Sequence, residues 1–241
     1  MSIPDFSLAG KVAFVTGGKR GIGRAIALAF ASEGATVVVA ARTLSKLEET
    51  AEEIKSKGGR AKAIQTDVTD EKQVQQMVAQ TLNDYGQVDI LVNNSGIGGP
   101  TARVVDLKLE DWNEVLGIDL TGSMLCSREV LKSMIPRRSG NIINIAAEGG
   151  RGGDGRAGYP MRSPYCCAKM GIIGLTETLA IEVGQYNIRV NCISPAAVRG
   201  ERLVNVVTGR SEATGVPFDE LMGKITANYS LERPAEESEV A

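Results

Sequence analysis

Short apolar runs alternate with longer amphipathic stretches along most of this chain. Six runs rich in β-branched residues predict strands, at 12–15, 36–39, 63–65, 90–92, 142–145 and 189–193. Most of them are continuously apolar, which is typical of parallel strands that are covered on both faces. Between the strands, apolar residues recur at helical spacing and predict helices at 24–32, 45–56, 71–84, 110–134 and 165–184.

Strand and helix in regular alternation predict an α/β fold with a doubly wound, Rossmann-type parallel sheet. We find no linker that would split the chain, so we expect one domain over residues 1–241. Two stretches depart from the alternation. Residues 148–164 are rich in Gly and Arg and predict a loop, and residues 198–230, which follow the last predicted strand, predict a lid over a cleft.

Composition narrows the function classes. The 241 residues are 43% hydrophobic and 23% charged, which suits one soluble globular domain with a substantial core. The net charge of -2 provides no basic surface for nucleic acid or an anionic membrane, and no apolar run is long enough to span a bilayer. Four scattered cysteines and the lack of a signal-like N-terminus predict a cytoplasmic protein with reduced thiols.

The chain contains no histidine, which removes the commonest general base. Any acid–base chemistry must therefore use Tyr, Lys, Asp or Glu. The lack of histidine also disfavours a zinc site, and we expect no metal.

A glycine-rich segment, Thr16-Gly17-Gly18-Lys19-Arg20-Gly21-Ile22-Gly23, follows the first predicted strand and opens the first predicted helix. Glycines in this position permit a tight turn and let backbone amides approach a pyrophosphate at the helix N-terminus. The alternative is an ordinary connection between a strand and a helix.

Tyr165 and Lys169 are four residues apart in a predicted helix, so the phenol and the ammonium share one face. A free phenol stays protonated at neutral pH, but a neighbouring ammonium stabilises the phenolate. The pair is therefore a candidate acid or base. The alternative is a surface Tyr and Lys that share a helix face by chance.

Three motifs in order, namely the glycine-rich segment, Asn93-Asn94-Ser95-Gly96 and Tyr165-x-x-x-Lys169, resemble the short-chain dehydrogenase/reductase family, in particular its 3-oxoacyl-thioester reductases. The resemblance covers about residues 11–202. It implies hydride transfer between a nicotinamide and a ketone or secondary alcohol of small size, with Tyr165 as the proton donor and Lys169 as its activator. The alternative is a nucleotide-binding protein of the same fold whose chemistry is lost or minor.

The choice of cofactor depends on the end of the second predicted strand. An NAD-preferring site would place an acid there to hold the ribose 2′-hydroxyl, but no acid lies between Ala35 and Thr43. Arg42, Lys19 and Arg20 provide cations that suit a 2′-phosphate. We therefore expect NADP, with NAD as the alternative; each of the three could instead be a solvated surface charge.

The family resemblance also places residues along the whole cofactor. Asp67 resembles an adenine contact, although it could simply cap the following helix. Ala196 stands where the family usually has Gly in the turn that meets the nicotinamide. The complete expected cofactor set is Gly17, Lys19, Arg20, Gly21, Ile22, Gly23, Arg42, Asp67, Val68, Asn94, Gly96, Tyr165, Lys169, Pro195 and Val198.

The chain departs from the family's catalytic set at two positions. The family has a Ser at the end of the fifth strand, where this chain has Ala147 or, with an insertion at 154–158, Gly152; Ser163 and Tyr159 are alternative hydroxyl donors. The family's relay Asn corresponds to Asp119, and an ionised carboxylate only accepts hydrogen bonds. With Tyr165, Lys169 and Asp119 as the catalytic set, we expect reduced or altered chemistry.

Two further expectations come from the resemblance. The helices at 110–134 and 165–184 pair subunits in the family, which implies a homodimer or homotetramer. Family members usually continue through another helix and a seventh strand, which have no counterpart here. Either the chain is shortened or its sheet has six strands.

Overall fold

The computed structural model describes residues 6–147, 158–227 and 229–241. The alternative serine position at Gly152 and most of the predicted insertion at 154–158 lie outside the described residues. Ala147, Ser163 and Tyr159 lie within them.

Six parallel strands form one sheet in the described part of the chain, in the order β3-β2-β1-β4-β5-β6. This result confirms the Rossmann-type prediction and the six strand positions. The strands are β1 (Val12–Thr16), β2 (Thr36–Ala41), β3 (Arg60–Gln65), β4 (Ile90–Asn93), β5 (Gly140–Ile145) and β6 (Ile188–Ile193).

Helices cover both faces of the sheet, which explains why its central strands β1, β2 and β4 are largely apolar and buried. In β1, Phe14 packs into the core on one face, whereas Ala13 and Val15 pack into the core on the other. The helices are α1 (Gly21–Ser32), α2 (Leu44–Ser56), α3 (Glu71–Tyr85), α4 (Leu109–Leu116), α5 (Gly122–Arg137), α6 (Ser163–Gly184), α7 (Glu201–Thr214) and α8 (Phe218–Thr226).

The strand order reverses between β1 and β4, which are hydrogen-bonded neighbours. Loops that leave neighbouring strands in opposite directions open a crevice at their carboxyl ends, and ligands bind there in open α/β sheets. Thr16 joins the two loops, because its hydroxyl accepts hydrogen bonds from the amides of Asn94 and Ser95, both at 3.0 Å.

The predicted helix at 110–134 is interrupted. A π-helical segment, Gly117–Thr121, separates α4 from α5. A π turn contains one more residue than an α turn, and the sequence pattern did not distinguish this segment from the α-helices on either side of it. Its consequence is local: Asp119 lies in this segment and is buried.

Helices α7 and α8 lie in the region predicted as a lid. Beyond them the chain returns to the end of β6, where Val198 and Ala235 form an isolated parallel bridge. A short 3-10 turn, Glu237–Glu239, packs on α1. None of the helices in the described ranges is long and apolar enough to cross a membrane.

Candidate active site

A cavity of about 500 Å³ lies at the carboxyl ends of the strands, at the point where the strand order reverses. It brings together nearly all of the residues predicted from sequence. Those in its wall are Gly17, Lys19, Arg20, Gly21, Ile22, Arg42, Asp67, Val68, Asn94, Gly96, Tyr165, Lys169, Pro195 and Val198. Gly23 and Asp119 are buried directly behind the wall.

The glycine-rich loop connects β1 to α1 in the conformation that glycine favours. Gly17 and Gly21 have φ values of +67° and +62°, which L side chains rarely adopt. Gly23 is needed for a different reason: a Cβ there would lie 2.3 Å from the Nδ2 atom of Asn94 and 2.5 Å from the Gly17 carbonyl oxygen. The loop thus presents bare backbone at the start of a 12-residue helix, an arrangement that suits a phosphate.

Asn94 holds this loop in place. Its Nδ2 atom donates to the carbonyl oxygens of Thr16 at 3.0 Å and Gly17 at 3.3 Å. Its side chain therefore shapes the wall of the cavity from behind, which the sequence alone did not indicate.

The three predicted cations lie along the cavity, but their environments differ. Lys19 donates to the hydroxyl of Thr43 at 3.3 Å, close to the end of β2, where Arg42 is exposed. Arg20 forms an ion pair with Glu201 of α7. The structure therefore leaves Lys19 and Arg42 as the cations at the end of β2 and places Arg20 against the lid.

Asp67 and Val68 follow β3, the neighbour of β2, and line the same cavity. The cap of α3 is Asp70, whose side chain accepts from the amides of Lys72 and Gln73. Asp67 instead accepts from the amide and the hydroxyl of Thr69. The alternative in which Asp67 caps the helix is therefore wrong, and the side chain borders the cavity.

Tyr165 and Lys169 lie on one face of α6, with the ammonium 5.7 Å from the centre of the phenol ring. The Lys169 side chain is 3% exposed. Its Nζ atom donates to the carbonyl oxygen of Ile145 at 2.9 Å and lies 3.5 Å from Oδ2 of Asp119. These contacts fix the ammonium beneath the phenol.

Asp119 is held between the loop after β4 and α6. Its Oδ1 atom accepts from the amide of Ile97 at 2.7 Å, and Oδ2 forms no hydrogen bond within the described residues. Burial raises the pKa of this carboxyl group, while the nearby Lys169 opposes that rise. Gly96 is needed here, because a Cβ on it would lie 2.9 Å from Oδ2.

The position predicted to correspond to the family's Ser is part of the cavity wall. Ala147 lines the cavity beside Ala146 at the end of β5. Of the two alternative donors, Tyr159 also lines the cavity. The Ser163 hydroxyl is buried at the start of α6 and has no hydrogen-bond partner in the described part of the chain.

Arg162 is a site residue that the sequence analysis missed. It is 5% exposed, lines the cavity, and places its guanidinium 5.3 Å from the centre of the Tyr165 ring. Burial lowers the pKa of this guanidinium. Arg162 is one of three arginines in the segment predicted as a loop, and neither periodicity nor spacing distinguished it from the other two.

The segment after β6 closes the other side of the cavity. Pro195 to Arg202 border it as a continuous stretch, followed by Leu203, Val206 and Arg210 of α7. Arg202 reaches across and donates to the carbonyl oxygen of Gly96 at 2.5 Å. The lid and the loop after β4 are thus joined above the cavity.

Comparison with known proteins agrees with this geometry. The short chain dehydrogenase family model matches residues 11–210. A 3-oxoacyl-[acyl-carrier-protein] reductase of Synechocystis sp. is 38% identical over 201 residues, covering 83% of this chain and 79% of the relative.

Solved structures show the same fold. A variant of actinorhodin polyketide ketoreductase with NADPH has a TM-score of 0.88 and 33% identity, covering 99% of this chain and 89% of its own. NAD⁺-bound xylitol dehydrogenase has a TM-score of 0.91 and 31% identity, with coverage of 96% and 89%. The glycine-rich loop, the Tyr–Lys pair and these matches show that the chain belongs to the short-chain dehydrogenase/reductase family of oxidoreductases.

Proposed function

We propose that this protein is an NADP-dependent oxidoreductase that acts on a ketone or a secondary alcohol of small size. The observation that carries the proposal is that Tyr165 and Lys169 share one cavity with the glycine-rich loop at the start of α1. A phosphate cradle and a proton-transfer pair at opposite ends of one cavity match what a dinucleotide and a carbonyl substrate require together.

The residues present fit such a cofactor. The backbone amides at Gly21 and Ile22 would hold the pyrophosphate, with Gly23 giving the close packing behind them. Lys19 and Arg42 would hold a 2′-phosphate, since no acid occupies the end of β2. Asp67, Val68 and Gly96 would border the adenosine, and Pro195 and Val198 the nicotinamide, which supplies or accepts the hydride when bound.

Tyr165 would give its phenolic proton to the carbonyl oxygen in reduction and take it back in oxidation. The Lys169 ammonium beneath the ring stabilises the negative charge left on the phenol. Asp119 would act on Lys169, since it neutralises part of that charge at 3.5 Å and restrains the position of the ammonium.

A second candidate function is nucleotide binding with little or no turnover. It is favoured by Ala147, which provides no hydroxyl for the substrate oxygen at the end of β5. Loss of one such donor commonly costs on the order of a hundredfold in rate. The intact Tyr165–Lys169 pair favours the first proposal, a catalytically active oxidoreductase.

The deciding experiment measures NADPH and NADH oxidation against a panel of aldehydes, ketones and keto acids. The enzyme proposal expects turnover that Tyr165→Phe abolishes, with cofactor binding retained. Tight cofactor binding without turnover on any panel member would favour the second candidate. Failure to bind either dinucleotide would contradict both.

We also expect subunit association through α5 and α6. Large apolar side chains are exposed there, including Met124, Met170 and Ile181. Light scattering on the purified protein would give the mass directly, and a monomer would contradict the expectation of a dimer or tetramer.

A further inference from the structure

Arg162 is a buried cation with few partners. Its guanidinium carries five N–H donors, yet its hydrogen bond in the described structure is a long one, from Nη1 to the Gly99 carbonyl oxygen at 3.4 Å. No carboxylate of the described residues lies within ion-pair distance of it. Burial of a charge is expensive unless an anion and further hydrogen bonds compensate.

The surroundings of Arg162 leave space for the guanidinium but offer few hydrogen-bond acceptors to its N–H groups. Gly98 lies against it, so that a Cβ there would be 2.8 Å from Nη2. The Cζ atom of Arg162 also lies 5.3 Å from the centre of the Tyr165 ring. Both contacts orient the planar group, and neither provides an acceptor for its donors.

The charge balance at this end of the cavity is positive among the described residues. Arg162, Lys169 and Arg202 all line it, and the carboxylate beside them, Asp119, is already paired with Lys169. Burial is the largest cause of the lowered pKa of Arg162; Arg202 lowers it further, while Tyr165, Cys166 and Asp119 oppose the shift.

The carboxylates that line the cavity in the described structure lie towards the phosphate loop. Glu201 pairs with Arg20, and Oε1 of Glu237 is 3.6 Å from the Cβ position of Gly21. Asp67 lies beside β3, in the loop before α3. These acids are therefore engaged at the cofactor end of the cavity.

We infer that Arg162 binds a carboxylate of the substrate, so that the substrate is an oxo acid or the corresponding hydroxy acid. A planar guanidinium with free parallel donors matches a carboxylate in a two-point contact. Because the guanidinium lies 5.3 Å from the centre of the Tyr165 ring, a carboxylate bound to it lies near the carbonyl that receives the phenolic proton. This favours 2-oxo and 3-oxo acids over acids with a distant carbonyl. The inference rests on the proposed function and narrows its substrate class.

The test compares each acid with its methyl ester, which keeps the carbonyl and removes the charge. Suitable pairs are 2-oxobutanoate, 3-oxobutanoate and 4-oxopentanoate with their esters, in the presence of NADPH. We expect the wild type to favour the first two acids in kcat/KM by roughly 10- to 100-fold, the range of one charge-assisted hydrogen bond. Arg162→Gln should remove that preference.

Arg103→Gln is the matched control, because Arg103 is exposed and its loss changes the net charge by the same amount. It should keep the wild-type preference for acids. Arg162→Lys keeps the positive charge but lacks the two parallel N–H donors of the guanidinium, and it should retain part of the preference for acids over esters. A purely structural role for Arg162 would lower the rates of acids and esters together and leave their ratio unchanged, which would overturn the inference. Equal kcat/KM values for acid and ester in the wild type would also overturn the inference.

A binding measurement separates this inference from the proposed function. Isobutyrate and isobutyramide are unreactive, similar in shape and different in charge, and their affinity for the enzyme–NADPH complex can be measured by calorimetry. Preference for isobutyrate that Arg162→Gln removes supports the carboxylate site even if no oxo compound is reduced. Equal binding of both, or unchanged preference in Arg162→Gln, contradicts the site. If NADPH affinity falls together with that of isobutyrate, Arg162 serves the cofactor phosphates and the inference is wrong.

Discussion

The ammonium of Lys169 lies 3.5 Å from Oδ2 of Asp119, and neither side chain is more than 3% exposed. Lys169 has a second partner in the Ile145 carbonyl oxygen, and Asp119 has one in the Ile97 amide. The π-helical segment between α4 and α5 carries the carboxylate to this position. An ion pair therefore lies beneath the proposed proton donor, Tyr165.

The first prediction concerns the pH dependence of stability. Burial raises the pKa of Asp119 above its ordinary 3.8, so the folded protein holds this proton more tightly than the unfolded chain does. Between the ordinary and the raised pKa, the Asp119 contribution to the free energy of unfolding therefore falls as pH rises. Asp119→Asn removes this contribution. Urea denaturation of both proteins at a series of pH values from about 4 upward measures it.

As pH rises through that window, the free energy of unfolding of the wild type should fall relative to that of Asp119→Asn. At higher pH, the difference between the two free energies should stay constant. A difference between the two proteins that stays constant with pH would mean that Asp119 does not titrate differently in the folded state.

The second prediction concerns cofactor choice. Lys19 and Arg42 are the cations that the structure leaves near the end of β2, with Arg20 paired to Glu201. NADPH should bind more tightly than NADH, and Arg42→Asp should reverse the order, because an acid repels the 2′-phosphate and accepts from the 2′-hydroxyl. Fluorescence titration with both cofactors measures this. Arg103→Asp, at an exposed position outside the cavity wall, serves as the charge control. Tighter NADH binding by the wild type would contradict the prediction.

The fold could be predicted because its signals are local. Continuous apolar runs, interrupted by helical periodicity, mark a sheet covered on both faces, and all six predicted strands occur in the structure. The glycine-rich loop and the Tyr165–Lys169 pair were equally visible, since each depends on a few neighbouring residues.

Features set by distant contacts could not be predicted in this way. The π-helical segment was not visible in the sequence pattern; Asp119 was a candidate through the family resemblance alone, and its packing against Gly96 and Lys169 shows that it is directed inward. Arg162 precedes α6 in a stretch predicted as a loop, and its burial depends in part on contact with Gly98 from the loop after β4. Side chains of this kind carry no periodicity from which burial can be read.

The third prediction concerns the missing hydroxyl at Ala147. If the site runs the family's chemistry without it, Ala147→Ser should raise turnover on a simple ketone, because the new hydroxyl can donate to the carbonyl oxygen. Steady-state kinetics with the cofactor saturating measures the effect. Ala146→Ser places the same group one residue earlier and should bring no gain. An unchanged rate in a folded Ala147→Ser protein would mean that another group already fills this role.

The fourth prediction concerns Lys169. Lys169→Ala leaves the buried carboxylate of Asp119 without its partner, and breaking a buried ion pair typically costs about 3–5 kcal/mol. Protonation of Asp119 relieves part of that cost, so the loss of stability should shrink at low pH. The double change Lys169→Ala with Asp119→Asn should be more stable than Lys169→Ala alone at neutral pH. Denaturation of the wild type, the two single variants and the double variant gives a double-mutant cycle. If the changes in free energy of unfolding simply add, the two side chains are not coupled.

The last prediction concerns Tyr165. Tyr165→Phe removes the transferable proton and very little volume, so the Arg162 guanidinium and the Lys169 ammonium keep a ring to pack against. Cofactor binding should persist, while turnover falls by roughly a hundredfold or more, as expected for loss of a general acid. Tyr159→Phe removes another hydroxyl from the cavity wall and provides the control. If Tyr165→Phe stays fully active and Tyr159→Phe does not, Tyr159 is the proton donor, and the role assigned to the Tyr165–Lys169 pair is wrong.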